Sequence, residues 1–228
     1  MITKKQFAII LCGVYALVAV TVGSQEIITA TNFFSQVGER YQAIDDYIAD
    51  ISMRKGSTRM NGELFYRHPN LLRINFSTPA EQVLVTDGSM LTLYVPALDV
   101  TMQQSLSSRQ QDEEITALAT REGLGLLRRL YNASYLEGPE PIPLEENSDE
   151  MVTKLRLTWR NPSEGFREII VSINSDLMIR RMVGTTVNYD EITLDFTNIQ
   201  VNQNLAESQF EYRSPPSANR FNNFLFEN

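Results

Sequence analysis

Residues 58–104 read TRMNGELFYRHPNLLRINFSTPAEQVLVTDGSMLTLYVPALDVTMQQ, and the fold is decided there. Short runs rich in Leu, Ile, Val, Phe and Tyr are broken by Pro69-Asn70, Thr78-Pro79 and Asp87-Gly88, each of which supplies turn chemistry. Asp87-Gly88 between apolar runs marks a tight hairpin, because both residues accept the positive φ that such turns require. The spacing predicts strands near 58–68, 71–77, 81–86, 90–95 and 98–104, joined as an antiparallel meander.

Working toward the N-terminus, Tyr47-Ile48-Ala49-Asp50-Ile51-Ser52-Met53 begins the alternation, and before it the period changes. Phe33, Phe34, Val37, Tyr41, Ile44 and Ile48 recur at the three-to-four spacing of one buried helix face, which predicts a helix over 28–45 capped by Thr31 or Asn32. Toward the C-terminus, 110–131 opens with acidic residues suited to a helix start and carries Ile115, Leu118, Ala119, Leu124, Leu127 and Tyr131 as an apolar side. Gly123 and Gly125 predict a soft joint there, at about 1 kcal/mol each relative to alanine. Residues 137–150, with three prolines and several acids, read as a solvated loop. Alternation then resumes through Leu155, Leu157 and Trp159, through Ile169, Val171 and Ile173, and through Ile192, Leu194 and Phe196, with Phe210 and Tyr212 ending the series. Around ten short strands at this spacing predict a mainly β chain with helices (α+β), its antiparallel sheet curved into an open half-barrel.

The chain has 228 residues, room for one sizeable domain behind a short leader. Lys4 and Lys5 precede an apolar run from Phe7 to Val22, and Val22-Gly23-Ser24 is a small-residue cleavage pattern. Residues 1–24 are therefore expected to be a signal peptide and 25–228 a single domain. Cys12, the chain's one cysteine, lies in that leader, so the mature chain is expected to hold no disulfide and no thiol chemistry. There are 28 acidic and 20 basic residues, for a net charge of −8. That balance speaks against nucleic acid, whose phosphates need a basic face, and against stable docking on anionic lipid.

Chemistry is hard to build from these residues. His68 is the single histidine, whereas a triad or an imidazole metal site needs partners for it, and the neighbouring Pro69 places it at a strand end. Asp45-Asp46, Glu113-Glu114 and Glu145-Glu146 fall on helix ends and a loop, where solvated acids are the rule. No catalytic residue, metal or cofactor is expected. The inward-facing set is Leu64, Tyr66, Leu72, Ile74, Phe76, Val83, Val85, Leu91, Leu93, Leu155, Leu157 and Trp159. On composition alone such side chains more often pack a core than line a ligand cavity.

A more specific signal runs from Gly62 to Asp99. Gly62-x-Leu64 and Arg67-His68-Pro69-Asn70-Leu71-Leu72-Arg73, then Leu84-Val85-x-Asp87-Gly88-x-x-Leu91 and Tyr94-x-Pro96, resemble the LolA family of periplasmic outer-membrane lipoprotein carriers. Leu194-x-Phe196-x-Asn198-Ile199-x-Val201-Asn202 and Phe210-x-Tyr212 are similar to that family's closing strands. The resemblance implies a half-barrel under a helical lid, with Ile115, Leu118, Leu124 and Leu127 as lid residues and lipoprotein acyl chains bound inside. It also implies an inner-membrane ABC lipoprotein-releasing transporter that loads the carrier and an outer-membrane lipoprotein receptor that unloads it, the carrier itself being a monomer. The family's lid-tethering arginine falls on His68, an aromatic falls on Leu72 and a tryptophan on Ile74; Arg73 is the other candidate latch. Two further readings stay open: a lipoprotein- or glycolipid-sensing module on the same fold, and a periplasmic hydrolase.

Overall fold

The computed structural model describes residues 28–106, 119–162 and 165–223; the leader, Cys12 and the expected lid residues Ile115 and Leu118 lie outside them. The described residues open with helix α1 (Ala30–Gln42), capped by Thr29 rather than Thr31 or Asn32: the Thr29 hydroxyl accepts from Asn32 N at 3.2 Å. Six strands follow as a meander: β1 (Asp46–Lys55), β2 (Thr58–Arg67), β3 (Leu71–Thr78), β4 (Val83–Asp87), β5 (Met90–Val95) and β6 (Val100–Ser105). Ile48, assigned above to the helix face, sits in β1 opposite Phe65.

Helix α2 (Arg121–Leu130) comes next, then β7 (Tyr131–Tyr135), β8 (Ile142–Pro143), β9 (Met151–Trp159), β10 (Phe166–Ile173), β11 (Ile179–Thr186), β12 (Glu191–Val201) and β13 (Asn219–Asn222). α2 is unbroken across Gly123 and Gly125. Thr120 caps it by accepting from Gly123 N at 3.0 Å, so Gly123 sits in the first turn, where a side-chain cap rather than residue propensity fixes the backbone. Tyr131, expected on the helix, opens β7 instead. The loop expected over 137–150 contains β8, a short pairing with β9.

Among the described residues the sheet order is β13-β6-β5-β4-β3-β2-β1-β12-β11-β10-β9-β7, thirteen strands with β8 included. Two meanders therefore meet at a central antiparallel seam between β1 and β12. The edges β7 and β13 do not pair with each other, so the half-barrel stays open. At Asn61/Gly62 the β2–β3 register slips, and a Cβ on Gly62 would lie 2.6 Å from Asn75 O; only glycine permits that approach.

One face of the sheet is covered by helices, and part of the other by the chain after β12. On one, α1 (Phe34, Val37, Tyr41) and α2 (Leu124, Leu127) pack into a single core with side chains of β1 to β3 and β9 to β12. On the other, residues after β12 wrap β2 to β6. Arg67 donates to Leu205 O at 2.8 Å, Arg73 donates to Gln209 O at 3.0 Å, and β13 runs parallel to β6. Asp46, buried, accepts from Gln203 N and Leu205 N and so fixes the start of that wrap.

Candidate functional site

The helix-covered face is the candidate ligand site, and the strand pairings show which side chains share that face. Leu64, Tyr66, Leu72, Ile74, Phe76, Leu155 and Leu157 are all buried in the core beneath the helices; Leu64 and Leu155 have no exposed surface at all. Ile74 pairs with Leu84 and Leu84 with Leu93, while Leu72 pairs with Thr86 and Thr86 with Leu91, so Leu91 and Leu93 share that face. Trp159 is half-buried at the end of β9, with the Arg167 guanidinium 5.9 Å from its ring. Val83 and Val85 correct the expectation. They pair with Asn75 and Arg73 and take the opposite face, under the C-terminal wrap. Leu84 and Thr86 are the β4 residues on the helix side.

Among the described residues this face is packed with side chains, and an apolar cavity of about 160 Å³ is bordered by Met53, Phe166, Ile169, Met182, Gly184, Ile192 and Leu194. It lies at the far end of β1 from Tyr47, about 20 Å along the strand at ~3.3 Å per residue. The Phe166 ring packs on Gly184, where a Cβ would come within 2.6 Å of it. None of these residues is among the inward set read from the sequence. Met53, Ile169, Ile192 and Leu194 carried a strand alternation signal; Phe166 and Met182 were not singled out in the sequence. Methionine and phenylalanine suit such a pocket, since thioethers adapt to irregular contacts. A dry cavity of ~150 Å³ holds a molecule the size of benzene. A fatty-acyl chain is larger than this cavity can hold.

Three tyrosines tie the helices to the sheet. Tyr41 of α1 accepts from Ile179 N at 3.1 Å; Tyr47 of β1 donates to Ala119 O at 2.8 Å; Tyr66 of β2 donates to Glu122 Oε2 at 2.8 Å. Their rings form a chain, Tyr41 edge-on to Tyr47 at 6.5 Å and Tyr47 tilted against Tyr66 at 5.4 Å. His68 Nδ1 lies 3.1 Å from Glu122 Oε1, and Arg121 donates to Ile44 O at 2.9 Å. His68 thus meets α2 at its first turn. Arg73, the other latch candidate, does not: it sits on the outer face, bonded to Asn75 and the C-terminal segment and stacked over Tyr212. Tyr47, Arg121 and Glu122 went unmarked in the sequence, where nothing distinguishes a tethering tyrosine from a packing one.

Burial pushes all three phenols above the ordinary tyrosine range, and the nearby Glu122 carboxylate adds to the rise at Tyr66. The linkage sign follows. Tyrosines of the unfolded chain ionise near pH ~10 while the folded ones keep their protons, so this stabilisation is complete below pH ~10 and is lost as pH rises above it. Each tyrosine steepens the loss by about 1.4 kcal/mol per pH unit. Thermal melts between about pH 8 and pH 11 are expected to break downward near pH 10, with tyrosinate absorbance lagging until unfolding. Ionisation of these phenols in the still-folded protein near pH 10 is the contrary result.

Among the described residues no group of His, Cys, Asp or Glu is placed to hold a metal ion. Comparison with known proteins brings in the family. The family model for the outer membrane lipoprotein carrier protein LolA matches residues 52–213. An outer-membrane lipoprotein carrier protein of Bordetella avium is 25% identical over 94% of this chain and 94% of its own length. One from Pseudomonas syringae pv. tomato is 23% identical over 81% of this chain and 84% of its own. A crystal structure of an uncharacterized conserved protein from Thermus thermophilus shares the fold at a TM-score of 0.54 and 14% identity, covering 82% of this chain and 98% of that one. With the open sheet, helices α1 and α2 over it and a family match across most of the sheet, this chain belongs to the LolA family of outer membrane lipoprotein carrier proteins.

Proposed function

We propose that this protein is a periplasmic lipoprotein carrier, which takes acyl chains between α2 and the sheet and shuttles lipoproteins from the inner to the outer membrane. The observation that carries the reading is how lightly α2 is held over a large apolar face. It is ten residues long and buries two leucines, Leu124 and Leu127. Exposing two leucines costs about 3–6 kcal/mol. Six or seven methylenes of a guest, at about 0.8 kcal/mol each, return the same amount. One acyl chain offers more than that, so it can displace the helix and still bind. The polar ties at Tyr47, Tyr66, His68 and Arg121 add roughly 1 kcal/mol each to the closed state and limit the net affinity, which a carrier needs if it is to give up its cargo.

Residues 1–24 would direct the chain across the inner membrane and be removed. Loading by an ABC lipoprotein-releasing transporter and unloading to an outer-membrane receptor complete the cycle. The ligand set is the buried face named above, with the cavity beside Met53 and Phe166 as the ready entrance, and binding of this kind uses no covalent chemistry. Protein purified gently from its native periplasm is expected to carry lipidated protein or long-chain lipid, seen by native mass spectrometry. Stripped protein is expected to take up a fluorescent fatty-acyl probe. Empty native protein together with no uptake of the probe overturns the reading.

A further inference from the structure

Outside the covered face, a second cavity of about 400 Å³ opens between α1, α2 and the start of β7. Arg128, Arg129 and Arg160 line it and no carboxylate does, although the chain as a whole is acidic with 28 Asp and Glu. None of the three arginines has a carboxylate within ion-pair distance among the described residues. By contrast, Arg54, Arg67, Arg121, Arg156, Arg180 and Arg181 all do. Two of the three are held in place by neutral groups. Arg128 donates to the Ser35 hydroxyl at 2.8 Å and Arg160 to Tyr131 O at 3.2 Å. Arg129 makes no hydrogen bond or ion pair to a described residue. Helix-end arginines usually serve the helix dipole, but Arg160 arrives from the end of β9 and reaches the same cavity.

We infer that this cavity is a phosphate-binding site. Three arginines lining one cavity without a counter-charge suit the oxygens of a phosphate, which guanidinium groups engage in pairs, and the exposed Asn132 on its wall adds further donor capacity. The floor is apolar: Phe34 and Tyr131 line the cavity and belong to the core. A phosphodiester joined to hydrocarbon therefore fits better than a flat acidic protein surface, which would leave that floor unused. The volume exceeds one phosphate and leaves room for a headgroup. Phosphate binding here does not depend on acyl chains entering the covered face.

The probes are inorganic phosphate, followed by calorimetry, and vesicles of phosphatidylglycerol in phosphatidylcholine against phosphatidylcholine alone, followed by flotation, both at low salt where charge contacts are least screened. Arg129→Glu is the test variant because its side chain anchors nothing. Arg59→Glu, exposed on β2, makes the same change in net charge elsewhere. Wild type and Arg59→Glu are expected to bind within twofold of each other, and Arg129→Glu at least tenfold more weakly. Saturable binding of inorganic phosphate supports the site with a soluble phosphate as its source. Binding confined to phosphatidylglycerol vesicles supports it with a lipid headgroup as its source. Equal loss in both variants, no binding to either probe, or capture of acidic protein alone overturns it.

Discussion

Leu72→Glu is expected to lower the melting midpoint by about 10–20 °C. Leu72 is buried in β3 beneath the helices, 2% exposed, and shares its core with Tyr66, Ile74 and the leucines of α2. Removing a buried leucine costs about 2–5 kcal/mol, and a carboxylate with no partner adds several more unless a helix lifts to let water in. A total of about 5 kcal/mol, at roughly 2–4 °C per kcal/mol for a domain of this size, gives the stated shift. Leu98→Glu is the control, since that side chain is 69% exposed and a surface change of this kind stays within about 0.5 kcal/mol. Scanning calorimetry of the two variants decides between a packed face and a hollow one. A Leu72→Glu protein that melts like wild type would mean that this side chain faces open space in the absence of cargo, contrary to the geometry described here.

Much of the sheet was legible from alternation because one face of each strand carried the signal. Leu64 and Tyr66, Leu72 and Ile74, and Leu155 and Leu157 all take the face that the pattern assigned. The signal failed where both faces are covered. In Val83-Leu84-Val85 every residue is apolar, since Leu84 faces the helices and Val85 is buried under the C-terminal wrap, and period-two reading has nothing to choose between. The wrap itself was invisible. It is held by backbone carbonyls of Leu205, Gln209 and Glu211 to Arg67 and Arg73, and carbonyls leave no trace in a sequence. For the same reason Arg73 looked free to serve as a latch. The helices were legible as amphipathic, but an apolar stripe does not say whether it plugs a half-barrel or stands off from it. Glu122, the residue that His68 and Tyr66 both reach, carries nothing in the sequence that sets it apart from the chain's other acids.

Leu124→Ala is expected to tighten binding of a fatty-acyl probe by tenfold or more, while making the empty protein less stable. Both effects have one origin. Leu124 is 1% exposed and is one of two leucines that seat α2 on the sheet. If the guest occupies the ground that α2 covers, measured affinity equals intrinsic affinity reduced by the fraction of molecules with the helix raised. Truncating a buried leucine weakens the closed state by about 2–5 kcal/mol, and every 1.4 kcal/mol multiplies that fraction by about ten until the open form dominates. Loss of contact between Leu124 and the guest works the other way. It is the smaller term, because an open helix offers the leucine only part of the burial it had when closed. Val152→Ala separates this mechanism from general loosening: Val152 is buried in β9 but lies outside the helix-covered core, so its truncation lowers stability and leaves probe affinity unchanged. Trypsin, which cuts after Arg121, Arg128 and Arg129, gives an independent reading of the helix and is expected to cleave Leu124→Ala faster than Val152→Ala at equal stability. Weaker probe binding by Leu124→Ala would show that the leucine is a wall of the site rather than its plug, and the displacement mechanism would then have to be abandoned.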